Sequence, residues 1–256
     1  MPKFAANLTM MFSEVPFLDR FRAAADCGFG AVEFLFPYEH QPDVIAAKLA
    51  EAGLVQALFN MPPGNWAAGE RGIAALPGRE AEFASALETA VTYAKVMGTE
   101  RLHMMAGIVS SQDGCSTLTY RENLKRAADR TGEAGIGLVI EPINRRDMPG
   151  YFLDDFDRAI SFITQVDAPH VKLQFDIYHR QILHGDVIMA LRRLAPLIGH
   201  IQTASVPDRH EPMTGELNDR RIFAEIDAIG YQGYVGCEYR PMGRTQDGLG
   251  WMTEIS

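Results

Sequence analysis

Four residues have the types and spacing of a metal-centred acid–base site: Glu141 in LVIEPIN, Asp176 in LQFDIYH, Gln202 in GHIQTA and Glu238 in YVGCEYR. Each closes a short apolar run, and they recur about 25 to 37 residues apart. Three carboxylates and one amide oxygen gathered at one point repel one another unless a hard divalent cation lies between them. An all-oxygen donor set favours Mg²⁺ or Mn²⁺, although Co²⁺ or Zn²⁺ could occupy the same cage. With fewer than six protein ligands, two substrate oxygens can complete the shell. Such a chelate polarises a carbonyl and acidifies the adjoining C–H. Glu141 and Glu238, on opposite sides of the bound carbon, would then remove and return a proton. The expected chemistry is aldose–ketose isomerisation or epimerisation of an α-hydroxy carbonyl compound.

Other residues are candidates for contact with the same guest. His179 follows Asp176 by three residues in DIYHR, so one helical turn brings it over the site as a substrate contact or as an orienting partner. Arg209, in PDRHEP, has the guanidinium fork that grips an anionic end. Asn144, Arg145 and Asp147 are placed to brace the site from behind, and His210 and Glu211 to shape their loop. His103, among methionines, reads as a core histidine. The run from Trp66 to Arg71 reads either as a lid contact or as a packed loop. Cys27, Cys115 and Cys237 have no paired spacing, and Cys237 reads as a buried structural thiol.

The elements that must hold these residues alternate in type. Apolar β-like runs fall at 4–8, 31–35, 54–59, 101–106, 137–141, 171–176, 199–204 and 234–239. Helix-like stretches lie between them at 16–27, 42–52, 79–97, 117–134, 154–166, 186–195 and 219–229, several ending at glycine. Eight β-α units with continuously apolar strands predict a parallel (β/α)₈ TIM barrel, a single domain over 1–256. No G-x-G-x-x-G follows the first strand, against a dinucleotide fold. The strand-to-helix connections 60–78, 142–153 and 203–218 are long and belong on the face where the metal residues converge.

The 256 residues are 47% hydrophobic and carry a net charge of −9, which suits a small-molecule enzyme and opposes a protein that neutralises phosphate backbones. The expected partner is a small hydroxy-oxo acid, with neither nucleic acid nor membrane. A homo-oligomer is compatible with the composition. MPKFAANLTMMF lacks the apolar core and cleavage site of a signal peptide, and no run approaches the ~18 apolar residues of a membrane span, so a cytoplasmic setting is expected.

With these residues in view, the chain resembles the hydroxypyruvate isomerases of the xylose-isomerase-like barrel superfamily over nearly its whole length. FAANLTMMF, VEFLFPY, GNWAAGERGIAALPGRE, IEPIN, QFDIYH, DRHEP, GCEYRP and GLGW carry the likeness, the third being the most specific. The resemblance implies a single-domain barrel, a divalent metal and interconversion of hydroxypyruvate with 2-hydroxy-3-oxopropanoate. It also implies that Glu141 and Glu238 handle the protons and that Asp176 and Gln202 complete the metal ligands. DRHEP is closer to a sister group acting on 2-oxo-tetronates. Ketose 3-epimerases are similar too, but a histidine commonly stands there in place of Gln202. Apurinic endonucleases share the barrel, yet their multi-zinc cluster needs more histidines than the seven present here suggest.

Overall fold

The computed structural model describes residues 1–254. Its strands are β1 Lys3–Asn7, β2 Ala31–Phe34, β3 Val55–Asn60, β4 Arg101–His103, β5 Gly137–Ile140, β6 Val171–Asp176, β7 Ile198–Thr203 and β8 Tyr234–Cys237. They close in sequence order into one barrel in which every neighbouring pair is parallel, β1 meeting β8. The helices are α1 Phe17–Asp26, α2 Pro42–Ala52, α3 Glu80–Met97, α4 Gly114–Glu133, α5 Phe156–Val166, α6 Ile177–Leu183, α7 Val187–Leu194, α8 Asp219–Ala228 and α9 Trp251–Glu254. None of the described helices is long and apolar enough to cross a membrane.

Helical periodicity explains the outer layer. In α4 the buried positions Tyr120, Leu124, Ala127, Ala128 and Thr131 recur at three- and four-residue intervals. Tyr120 meets Phe152 and Phe162 with ring centroids 5.1 and 4.8 Å apart, tying this helix to α5. α4 begins three residues before the sequence expectation because Asp113 caps it, accepting from the Ser116 N–H at 2.8 Å.

Two strand differences bear on the site. β4 was expected to reach residue 106 but ends at His103. Beyond it, Ala106 forms an antiparallel bridge with Gly72, so the chain leaves the barrel to meet the long loop after β3. The β2–β3 register shifts at Val32/Glu33, and the Glu33 side chain is fully buried. Gly236 on β8 makes room for it, since a Cβ there would stand 2.2 Å from a Glu33 carboxylate oxygen.

The barrel interior is polar near its C-terminal end. Glu33 Oε1 accepts from Asn7 Nδ2 at 2.9 Å and from Gln202 Nε2 at 2.8 Å, while its Oε2 lies 2.6 Å from His200 Nε2. Gln174 Nε2 donates to Gln202 Oε1 at 2.7 Å. Residues of β1, β2, β6 and β7 therefore form one hydrogen-bonded floor beneath the mouth of the barrel.

Candidate active site

Glu141 follows β5, Asp176 ends β6, Gln202 lies next to the end of β7 and Glu238 follows β8. All four are buried. Asp176 and Gln202 are register partners on adjacent strands. Asp176 has two tasks: Oδ1 caps α6 by accepting from the Tyr178 N–H at 2.7 Å, and Oδ2 faces the site. The α6 helix had not been predicted as an element, but it supplies the single turn that lifts His179 over the carboxylates.

A cavity of about 290 Å³ opens above these residues, lined by Glu141, Glu238, His103, His179 and Arg209 and walled by Trp66 and Met148 among others. Each of the three long connections reaches it, through Trp66 and Arg71, through Ile143, Asp147 and Met148, and through Arg209. Their expected place on this face holds.

Arg209 is drawn into the carboxylates. Its Nη2 lies 2.9 Å from Glu238 Oε2 and 3.5 Å from Asp176 Oδ2, and its Nη1 lies 3.5 Å from Asp147 Oδ2. Its guanidinium also packs over the Tyr178 ring, 4.8 Å from the centroid. Burial alone would favour loss of the proton, but Glu238, Asp176, Glu141 and Asp147 outweigh it and hold the proton more tightly than usual. Sequence reading gave Arg209 an anionic guest to bind. In the structure the protein's own acids are its partners.

Burial likewise penalises the charged acids. It pushes Glu238 up to about 8 and Asp176 up to about 6, each against the opposing pull of Arg209. Burial raises Glu141 well above the ordinary carboxylate range, with Glu238 and Asp176 adding repulsion. Glu141 Oε1 is buried with no hydrogen-bond partner among the described residues, as is Nε2 of His103, which lies 3.7 Å from Glu141 Oε2.

The orientation of His179 follows from its neighbours. Asn144 Oδ1 accepts the Arg146 and Asp147 N–H groups, both at 2.9 Å, which leaves its Nδ2 facing His179 Nδ1 at 2.7 Å. The Nδ1 atom must therefore accept, and Nε2 carries the proton. Burial, and then Arg209, hold this imidazole well below its ordinary pKa, so it is neutral. Glu141, Asp176 and His179 bring ligand-capable atoms within 4.8 Å of one another. With this tautomer, however, His179 Nε2 carries a proton 3.5 Å from Asp176 and 3.9 Å from Glu141, beyond a good hydrogen bond, and is poorly suited to ligate a metal.

The oxygen donors do fit a divalent cation. Glu141 has an orphaned oxygen, and a single nitrogen of a monocation bridges Asp176 and Glu238. The Gln202 amide has its orientation fixed by Glu33 and Gln174. Such a group could be held by Glu141, Asp176, Gln202 and Glu238.

Several other expectations resolve here. Asn144 and Asp147 brace His179 and Arg209, whereas Arg145 turns away to pair with Asp154 at 2.6 Å. His210 Nδ1 contacts the Arg240 carbonyl at 2.7 Å, and Glu211 accepts from the Met242 N–H, so both shape the loop. Cys237 is fully buried, with its thiol raised by burial. His103 is not mere core: it lines the cavity, with Nδ1 3.2 Å from Asn60 Oδ1. Glu33, inside the apolar run AVEFL, joins the site's support without a strand-end signal, and the room that Gly236 makes for it is visible only in the structure.

Parallel strands ending in buried acids at one mouth, with loops closing around them, define a barrel enzyme whose chemistry lies at the C-terminal face. Comparison with known proteins specifies the class. A model of the xylose isomerase-like TIM barrel matches residues 21–255. A 2-oxo-tetronate isomerase of Cupriavidus necator is 54% identical over 255 residues, covering 98% of each chain. The hydroxypyruvate isomerase of Escherichia coli is 43% identical over 256 residues, again covering 98% of each. A crystal structure described as AP endonuclease, family 2, from Brucella melitensis superimposes with a TM-score of 0.97 at 49% identity, covering 99% of each chain. The chain belongs to the xylose isomerase-like TIM barrel family, within its hydroxypyruvate isomerase group, and is an isomerase.

Proposed function

We propose that the protein interconverts the two carbonyl isomers of a short hydroxy-oxo acid, with Glu141 and Glu238 as its proton-transfer pair. The carrying observation is that these two buried glutamates open on one cavity and are both held above the ordinary carboxylate range. A carboxylate so desolvated has its basicity closer to neutrality, which suits proton exchange with carbon. A divalent cation, Mg²⁺ or Mn²⁺ by the oxygen donors present, would be held by Glu141, Asp176, Gln202 and Glu238 and would polarise the substrate carbonyl.

For hydroxypyruvate the protons balance as follows. One glutamate takes a proton from the hydroxyl-bearing carbon 3 and the other delivers one to carbon 2. The hydroxyl proton passes from oxygen 3 to oxygen 2, and carbon 3 becomes the aldehyde of 2-hydroxy-3-oxopropanoate. His179 Nε2–H is positioned to donate to the oxygens between which that proton moves. Arg209, whose Nε has no acceptor among the described residues, is the second substrate contact.

Hydroxypyruvate and 2-oxo-tetronate differ by one carbon, and a cavity of about 290 Å³ admits either. Greater identity to the 2-oxo-tetronate isomerases of C. necator and Pectobacterium atrosepticum, 54% and 46% against 43%, favours the four-carbon acid. An apurinic endonuclease function is suggested by the description of the Brucella structure. Against it, a net charge of −9 and a mouth crowded with acids would repel a polyanion.

The test is a kcat/KM panel of 2-oxo-tetronate, hydroxypyruvate, fructose and psicose. The acids should be preferred over the neutral ketoses by about 5- to 150-fold, the worth of one satisfied buried charge. Faster turnover of either ketose would place the enzyme among the epimerases.

A further inference from the structure

Arg71 is a cation in the cavity wall without an anion of its own. It lines the same cavity as Glu141 and Glu238. Its guanidinium carbon lies 3.8 Å from the centroid of the Trp66 ring. Nη1 donates to the carbonyls of Trp66 and Glu70, at 3.1 and 2.7 Å. Among the described residues no carboxylate pairs with it, and Nε and Nη2 have no acceptor. Those two atoms form the edge of a guanidinium that grips a carboxylate side-on through two parallel bonds.

The segment carrying this edge is braced on both sides. Glu70 pairs with Arg79 and accepts from the Asn65 N–H. Gly72, at a φ of 101°, lies so close to the chain after β4 that a Cβ would stand 2.4 Å from the Met105 carbonyl oxygen. Held by ring, carbonyls and loop, the Arg71 fork loses little freedom when it binds, which favours it as a recognition element.

The other cations of the cavity are less suited. Arg209 already faces Glu238, Asp176 and Asp147, and an acid entering here adds a further negative charge to that cluster. Arg240 is exposed, and among the described residues no hydrogen bond or ion pair fixes its side chain.

We propose that Arg71, stacked on Trp66, is the carboxylate-recognition residue of this site, leaving the carbonyl–hydroxyl end of the substrate to Glu141, Glu238 and His179. The sequence alone assigned that grip to Arg209. The inference rests on the hydroxy-oxo acid reading of the site and names the residue that makes it selective.

The experiment uses a matched pair of probes, hydroxypyruvate and dihydroxyacetone, which share a carbonyl–hydroxyl unit and differ in the carboxylate. Their binding to the Mg²⁺-supplied full chain is measured by calorimetry for wild type, Arg71→Ala, Arg71→Lys and Arg240→Ala, alongside steady-state kinetics. Arg71→Ala should weaken hydroxypyruvate by at least ~10-fold, the loss expected for a charged hydrogen-bonded pair, and leave dihydroxyacetone within about threefold of wild type. Arg71→Lys, which keeps the charge without the fork, should fall between the two. In turnover the loss should appear in KM with kcat little changed.

Hydroxypyruvate binding unchanged in Arg71→Ala overturns the inference. So does selective loss in Arg240→Ala instead, or equal loss of both probes. A wild-type protein that binds hydroxypyruvate without isomerising it rejects the proposed reaction, while the Arg71 comparison still reads the binding arm. A wild type indifferent to the carboxylate rejects the inference directly.

Discussion

Gln202 on β7 donates its Nε2–H to Glu33 Oε1 on β2 at 2.8 Å, across the barrel interior, so a residue that never reaches the cavity fixes the orientation of the amide proposed as a metal ligand. Glu33 accepts from Asn7 through the same oxygen and lies against His200 through the other. Glu33→Gln keeps the shape but replaces one acceptor oxygen with an NH₂ group, so either Asn7 and Gln202 lose their acceptor or His200 must change tautomer to accept from the amide. We expect a stability loss of about 1–3 kcal/mol for the unsatisfied partner. Mn²⁺ affinity should fall by roughly 10–100-fold, as is usual when an orienting group behind a ligand is altered. Calorimetry with Mn²⁺ and a thermal melt read both. Unaltered Mn²⁺ affinity would remove Gln202 from the ligand set.

Glu141→Gln and Glu238→Gln retain side-chain volume and one ligating oxygen but lose the base. Either should lower kcat by at least ~10²-fold. In deuterated water the wild-type product should carry solvent deuterium at early conversion. A product free of deuterium would point to hydride transfer between the two carbons in place of proton exchange.

Acid–base linkage gives the metal-free protein a distinctive stability profile. Asp176 and Glu238 are held up to about 6 and about 8 in the folded state, mainly by burial, above the ordinary carboxylate values they take when unfolded. The folded state thus keeps protons that the unfolded state releases. The resulting stability is full on the acid side and is lost as pH rises through about 6 and then about 8. The Tm of chelated protein should therefore fall from about pH 4, where the unfolded carboxylates titrate, to about pH 8, where Glu238 titrates in the folded state. A divalent cation should flatten or reverse that slope by taking the place of the protons. A Tm of the chelated protein that rises across this range would contradict the electrostatics described for the cluster.

The sequence was most legible where a strand ends. LVIE, LQFD and GCE announce buried strands that stop at an acid, and the barrel's geometry then decides that the acids meet. Interior polar residues were harder to read. Glu33 lies inside an apolar run, and only its partners from β1 and β7, more than a hundred residues away in the case of His200, show what it does. His103 was misjudged because the buried Met104 and Met105 beside it make the run read as core, whereas His103 and Met105 both line the cavity. Arg209 was recognised as a site residue, but its pairing with Glu238 and Asp176 depends on how the loop after β7 folds back, which no local pattern records.

The most direct test of the central claim is metal depletion. Protein stripped by a chelator and shown to be metal-free should lose its isomerase activity on hydroxypyruvate and 2-oxo-tetronate, and Mg²⁺, Mn²⁺ or Co²⁺ added back should restore it. Full activity in demonstrably metal-free protein would contradict the account, because Glu141, Asp176, Gln202 and Glu238 would then be gathered at the barrel mouth for some other purpose.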